Sequence, residues 1–471
     1  MEKKPNILFF LTDDQRHDTI AALGNNEIKT PNIDRLVRNG TTFNQAHIPC
    51  GTVGAICMPS RAMIHTGRTL FHIENDGQNI PDKHALIGET FKLSGYNTFG
   101  TGKWHNCRKS FTRSFSNGDE IFFGGMSDHW NVPVYHYDLK GEYETKLKYI
   151  EEPEKNNLIK YNYCDHVHAG KHSSELFCEA AREWLINYDS KNPFFLYIAF
   201  MAPHDPRSMP DEFLKMYDPD EIDLPENFMP QHEFDYGIYN GRDEVLSSYP
   251  RNPDSIRKHI AEYYGMISHL DCEIGKTIDA LKATGKYEDT VIVLAGDNGL
   301  ALGQHGLMGK QNGYEHSIRV PLVLAGPGIP KGEIRDTYAY LLDLFPTLCE
   351  IVGIDIPASV EGRSLMPAIK DNNIKIRDSI YFAYGSVLRG IKNSQYKLIE
   401  YRVKNLRKTQ LFDIVKDPAE MNNLSHLTEY EDIKKDLTNR LLEYKNIWDD
   451  EKHEASKKFW SRYNDFETLQ E

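Results

Sequence analysis

Three carboxylates and one amide, Asp13, Asp14, Asp297 and Asn298, carry the first chemical signal in this chain. All four offer hard oxygen donors without thiolate or paired imidazole, a set that suits calcium or magnesium better than zinc. Acids that converge without a cation repel, and the repulsion is relieved by a metal or by raised pKa values. The plainer reading is that Asp13-Asp14 caps the next element and Asp297-Asn298-Gly299 is a turn. Arg61, Lys103, His105, His204 and Lys310 supply the opposite sign, a cationic ring suited to charge developing on an anionic ester. Cys57, four residues before Arg61, is either a thiol nucleophile or a buried structural cysteine.

These residues follow apolar runs. Asp13-Asp14 follows Asn6–Leu11, Lys103 and His105 follow Asn97–Gly100, His204-Asp205 follows Phe194–Phe200, and Asp297-Asn298 follows Val291–Leu294. Val320–Leu324 is a further run of this type. Wholly apolar strands alternating with helices predict a large, mostly parallel α/β sheet covered on both faces. Its active site is expected outside the carboxyl ends of the strands, where these polar residues fall. Helices are expected from Thr30, with Pro31 at the first position, over His172–Tyr188, and over Ser255–Leu281. After about residue 375 the pattern changes. Ser379–Tyr384, Tyr396–Tyr401 and Gln410–Phe412 read as short antiparallel strands and Tyr430–Leu442 as a helix. The expected division is a catalytic domain over 1–375 and a small α+β domain around an antiparallel sheet over 376–471.

Composition narrows the function. The chain has 471 residues, with 55 Lys+Arg against 69 Asp+Glu, and a net charge of -14 disfavours a general nucleic-acid binder. No apolar run reaches the roughly 18 residues of a membrane-spanning helix. Seven scattered cysteines show neither a disulfide framework nor zinc spacing. Five apolar residues, Ile7–Leu11, are too few for a signal-peptide core. The expectation is a cytoplasmic protein as written, or a periplasmic or secreted one whose leader has been removed.

The segment Cys57-Met58-Pro59-Ser60-Arg61, followed by Thr66-Gly67-Arg68, resembles the signature of the formylglycine-dependent type I sulfatases of the alkaline-phosphatase-like superfamily. Asn6–Gln15, Thr30–Leu36, Gly102-Lys103-Trp104-His105, Asp297-Asn298-Gly299, Gly303-Gln304-His305-Gly306 with Lys310, and Leu411-Phe412-Asp413 extend that resemblance along nearly the whole chain. It implies a sulfuric ester hydrolase in which a maturation enzyme converts Cys57 to formylglycine. Calcium, with magnesium as runner-up, would be held by Asp13, Asp14, Asp297, Asn298 and an oxygen of residue 57. Arg61 and Lys103 would stabilise the hydrated aldehyde and the sulfate, and Lys310 would clamp the sulfate. His105 would accept the proton in sulfate release, and His204 would contact sulfate or protonate the leaving oxygen. If the segment 102–105 is extended, Lys103 and His105 share a face. The implied substrate is a sulfated sugar or oligosaccharide. The alternatives are a phosphonate or phosphate ester hydrolase using the same site, and a non-catalytic sulfoglycan-binding pseudoenzyme. His316 and the aromatic segment Asp128-His129-Trp130-Asn131 receive no role, the latter being either a pocket wall or a cover for the sheet.

Overall fold

The structure is a computed structural model and describes residues 4–467. Its main sheet has eight strands: β1 (Asn6–Thr12), β2 (Gly40–Phe43), β3 (Asn97–Lys103), β4 (Asn117–Phe122), β5 (Phe194–Ala199), β6 (Thr290–Gly296), β7 (Leu322–Ala325) and β8 (Glu333–Arg335). They lie in the order β8-β2-β7-β6-β1-β5-β3-β4. The run β6-β1-β5-β3-β4 is parallel throughout, and only the β6–β7 and β7–β2 pairs are antiparallel. Every residue of β1, β5 and β6 is buried, as expected of strands covered on both faces.

Helices α1 (Pro31–Asn39), α2 (Cys57–Thr66), α3 (Ser173–Ile186) and α4 (Pro253–Ala283) cover the sheet. The ends of α3 and α4 follow from their caps. The His172 side chain accepts from Ser174 N at the start of α3. Asn252 accepts from Asp254 N and Ser255 N, so α4 begins at Pro253, before the position read from apolar periodicity. Among the described residues, no helix is long and apolar enough to cross a membrane.

A second, five-stranded sheet contains β9 (Ile380–Tyr384), β10 (Leu388–Lys392), β11 (Tyr396–Val403) and β12 (Leu406–Asp413), and α5 (Glu431–Ile447) follows it. Its fifth strand comes from far upstream: Cys50–Gly51 pairs in parallel with Ala383–Tyr384. Thus the small sheet is joined by backbone hydrogen bonds to the segment that leads into α2. Strand β10 is absent from the sequence expectation because its charged residues are misleading. Arg389 and Lys392 are buried, so no polar face marks the strand.

Register brings the chemistry together. Thr12 lies opposite Gly296, Leu11 opposite Ala199, and Ala199 opposite Gly102. The next residues of each strand therefore emerge side by side at one edge, where Asp13, Asp297 and Lys103 are found. Gly102 is required there: its φ is +88°, and a Cβ would stand 1.9 Å from the Ala199 carbonyl oxygen.

Candidate active site

Cys57 occupies the first turn of α2, the positive end of that helix, and Arg61 lies one turn further on the same face. The Cys57 sulfur is 3.2 Å from His105 Nδ1 and 3.7 Å from Lys103 Nζ. Burial pushes the Cys57 thiol up to about 11, with Lys103 and Lys310 opposing.

Lys103 and His105 do converge on residue 57, but not through strand alternation. Strand β3 ends at Lys103, and His105 adopts a left-handed φ of 60°. Trp104 anchors this turn from the buried side. Its Nε1 donates to the Cys107 carbonyl (3.1 Å) and to Ser110 Oγ (3.0 Å), and its ring stacks on His65 at 4.1 Å. Asp14 is also left-handed, with φ 61°. Left-handed non-glycine residues carry a backbone cost of about 1–3 kcal/mol, and such strain concentrates at functional sites.

The acids are fully enclosed and share a set of cations. Arg61 donates through Nε to Asp297 Oδ2 (2.8 Å) and through Nη2 to Asp13 Oδ2 (3.0 Å) and the Phe200 carbonyl. Nη1 donates to the Lys103 carbonyl. Arg61 therefore holds the acids, with each of its nitrogens engaged. Lys103 Nζ pairs with Asp13 Oδ2, and Lys310 Nζ pairs with Asp14 Oδ1 at 2.5 Å. Asn298 Nδ2 donates to Asp14 Oδ1 at 2.5 Å. Burial works to raise the Asp13 carboxyl, but Lys103 and Arg61 outweigh it and hold that group well below the usual range. Asp297 moves the other way, pushed up by burial and by the Asp13 charge.

Two buried oxygens in this cluster, Asp13 Oδ1 and Asn298 Oδ1, have no hydrogen-bond partner. Ligand atoms of Asp13, Cys57 and Asp297 lie within 4.8 Å of one another, as do those of Asp13, Asp14 and His204. Orphaned oxygens beside converging carboxylates fit a hard divalent cation.

Two imidazoles stand beside the cluster. Burial, with Lys103 and Arg61 nearby, holds the His105 imidazole well below its usual value, so it is neutral at neutral pH. His204 Nδ1 donates to the Asp205 carbonyl at 2.8 Å, which leaves Nε2 facing the cluster, 3.7 Å from Asp14 Oδ2. The His204 carbonyl is held in turn by His129, whose Nε2 donates to it at 3.0 Å and whose Nδ1 accepts from Ser173 Oγ at 2.7 Å. His129 is thus a positioning residue that the sequence left without a role, on a segment without strand or helix periodicity. Further out, Arg242 donates to Asp205 Oδ1 (2.7 Å) and Asp243 Oδ1 (3.0 Å), and Gln311 Nε2 donates to Asp243 Oδ2 (2.7 Å). Arg242, Asp243 and Gln311 follow no apolar run, and sequence reading missed them. His316 is buried, and its carbonyl accepts from Leu300 N, which fixes the chain just after Asn298.

The largely parallel sheet, with acids, a cysteine and cations at its carboxyl edge, has the alkaline-phosphatase-like fold. The sulfatase family profile matches residues 5–354, and the profile of the C-terminal region of N-sulphoglucosamine sulphohydrolase matches residues 303–447. The chain belongs to the sulfatase family and is a sulfuric ester hydrolase. An arylsulfatase of Clostridium perfringens is 29% identical over 462 residues, covering 91% of this chain and 92% of that protein. An N-acetylglucosamine-6-O-sulfatase of Bacteroides thetaiotaomicron is 25% identical over 529 residues, covering 96% and 88%. Among solved structures, one described as a complex with its substrate D-glucosamine-2-N,6-O-disulfate superposes with a TM-score of 0.76 at 21% identity, covering 96% of this chain and 99% of that one. A phosphonate monoester hydrolase of Agrobacterium radiobacter superposes with a TM-score of 0.73 at 19% identity, covering 94% and 96%, a likeness of fold.

Proposed function

We propose that this sulfatase removes sulfate from a sulfated carbohydrate, with formylglycine made from Cys57 as its nucleophile and one calcium ion in the acid cluster. The carrying observation is the setting of residue 57. Lys103 and His105 reach its sulfur, and ligand atoms of Asp13 and Asp297 lie within 4.8 Å of it, in a cluster with two orphaned oxygens. Asp13, Asp14, Asp297 and Asn298 would hold the cation, together with an oxygen on residue 57. Hydrated formylglycine supplies a hydroxyl nucleophile and a second hydroxyl for release, and the cation supplies positive charge for the anionic ester.

The chain's own residues do the rest. Arg61 keeps Asp13 and Asp297 in register. Lys103 and Lys310, now paired with Asp13 and Asp14, face the same enclosed space. A cation on those carboxylates leaves both ammonium groups free to hold an anionic ester. The positive end of α2 adds to that field. Neutral His105 accepts a proton at residue 57. His204, with Nε2 turned inward and its loop held by His129, protonates the leaving oxygen of the sugar. The polar groups of Arg242, Asp205, Asp243 and Gln311 suit a hydroxyl-rich substrate. The names of the Bacteroides relative and of the glucosamine-disulfate complex point the same way.

The test has two arms. Peptide mass analysis of protein from its native host should show an aldehyde in place of the Cys57 thiol, and an active preparation containing only thiol would overturn the nucleophile. Sulfate release from a panel of sulfated mono- and disaccharides should exceed that from phosphate and phosphonate esters of comparable alcohols. In the same panel His204→Ala should slow sugar sulfates far more than activated aryl sulfates, because only the poor leaving group needs a proton.

A further inference from the structure

A second cluster of ligating side chains lies on the edge strand β4. In the pairing of β3 with β4, Gly100 faces Gly118 and Gly102 faces Ile121, so Asp119 and Glu120 together oppose Thr101 alone. This bulge leaves Glu120 at a left-handed φ of 49°. Bulges re-aim side chains, and here the Glu120 carboxylate is nearly buried, with 9% of its side chain exposed. His166 and His168 flank Val167 in an extended segment and so share a face. His166 Nε2 is 3.0 Å from Glu120 Oε2, and His168 Nε2 is 2.9 Å from Oε1. One ligand atom from each of the three residues lies within 4.8 Å of the others. The His136 ring stacks on His166 at 4.1 Å and is itself held by Asp119 at 2.8 Å, which fixes the plane of the inner imidazole. Exposure rises from Glu120 through His166 (21%) to His168 (44%), so the cluster opens to solvent on one side.

We propose that Glu120, His166 and His168 form a second metal site, which takes a first-row transition ion of the zinc class and clips the 123–172 excursion to the sheet edge. Two imidazole nitrogens and one carboxylate are borderline donors that select zinc or cobalt over calcium, the reverse of the all-oxygen cluster around Asp13. Two imidazoles aimed at opposite oxygens of one buried carboxylate leave a position between them that a divalent ion fills, and water can enter beside His168. The excursion bears on catalysis through its base, where His129 holds the His204 carbonyl. The ion therefore braces the loop and does not touch substrate. His166 Nδ1 is buried without a hydrogen-bond partner. Lacking that outer hydrogen bond, the site should bind about 10- to 100-fold more weakly than one that has it.

The experiment uses full-length protein, stripped with chelator and resupplied with calcium. Zn2+ titrated calorimetrically should bind with one equivalent per chain, raising the melting temperature, and Co2+ should develop visible bands of nitrogen-containing coordination. His168→Asn, at a half-exposed position, should weaken Zn2+ by at least about 10-fold while leaving circular dichroism and metal-free melting unchanged. Glu120→Gln should weaken Zn2+ likewise. Asp297→Asn, which disables the all-oxygen cluster, should keep the zinc equivalent. Equal Zn2+ affinity in His168→Asn and wild type would overturn the proposal, as would loss of that equivalent in Asp297→Asn.

Discussion

Two wholly buried aspartates, Asp13 and Asp450, each face an arginine, and they are finished differently. Asp450 accepts from Arg389 Nε (2.5 Å) and Nη2 (2.9 Å), from Tyr381 OH (2.5 Å) and from Trp460 Nε1 (2.9 Å), so both of its oxygens are engaged. The Arg389 guanidinium also lies over the Phe459 ring at 4.6 Å. Asp13 has Arg61 and Lys103 on Oδ2 and nothing on Oδ1, with the orphaned Asn298 Oδ1 in the same cluster. A saturated charge fastens the small sheet to the segments that follow α5. An unsaturated one keeps capacity for a ligand, at a cost to the metal-free protein. Saturation therefore separates a structural clasp from a reactive site where burial and charge alone do not.

The largest expected effect is on turnover. Asp297→Asn should lower kcat on the order of 10³-fold, with little change in urea stability of the metal-free protein, because the substitution removes one of three carboxylates that repel and Arg61 keeps its pairing with Asp13. Asp450→Asn should do the opposite. Stability should fall by about 3–5 kcal/mol, since Arg389 is left as an uncompensated buried cation, while kcat per folded molecule holds. If Asp297→Asn destabilises as much as Asp450→Asn, the distinction between clasp and site collapses. A third expectation sharpens it. Stripping divalent cations should abolish activity and leave far-UV circular dichroism intact, and calcium at 100 times its dissociation constant should restore activity and add about 2.7 kcal/mol of stability. That increment should survive in Asp450→Asn and vanish in Asp297→Asn.

The inner half of the site was legible because it sits on regular elements. Apolar runs gave the strand ends, and parallel register placed Asp13, Asp297 and Lys103 side by side. The motif from Cys57 to Arg61 is local in sequence, so its residues could be read together, although the helix that carries them was not expected. His129, Arg242, Asp243 and Gln311 were not legible. They act through single long-range hydrogen bonds from irregular segments, which leave no periodic trace. The approach of His105 was predicted for the wrong reason, since a left-handed turn at a non-glycine residue overrides strand alternation. The same limit applies to Cys50–Gly51, a two-residue strand whose partner lies more than 300 positions away.

The smallest effect lies close to the clasp and tests whether half-exposed charges behave as a third class. His72 Nδ1 is 2.8 Å from Glu361 Oε1 and its Nε2 is 3.3 Å from Asp449 Oδ2, with all three side chains partly exposed. The hydrogen bond to Glu361 raises the imidazole above its ordinary value, with burial opposing. The folded protein thus binds this proton more tightly than the unfolded chain, whose imidazole titrates near about 6.5. Its contribution is fully present below that value and is lost as pH rises through the higher folded value. Solvent screening limits it to about 0.5–1 kcal/mol. Asp450 contributes nothing to this window, because Arg389 holds its carboxyl below the usual range and it stays charged throughout. Urea unfolding of wild type and His72→Gln at pH 6 and pH 8.5 isolates the effect. Wild type should lose more stability than the variant between the two conditions, by up to that amount. Parallel losses would mean that His72 carries no proton in the folded state that it lacks in the unfolded one, and that the Glu361–His72–Asp449 bridge is a neutral contact.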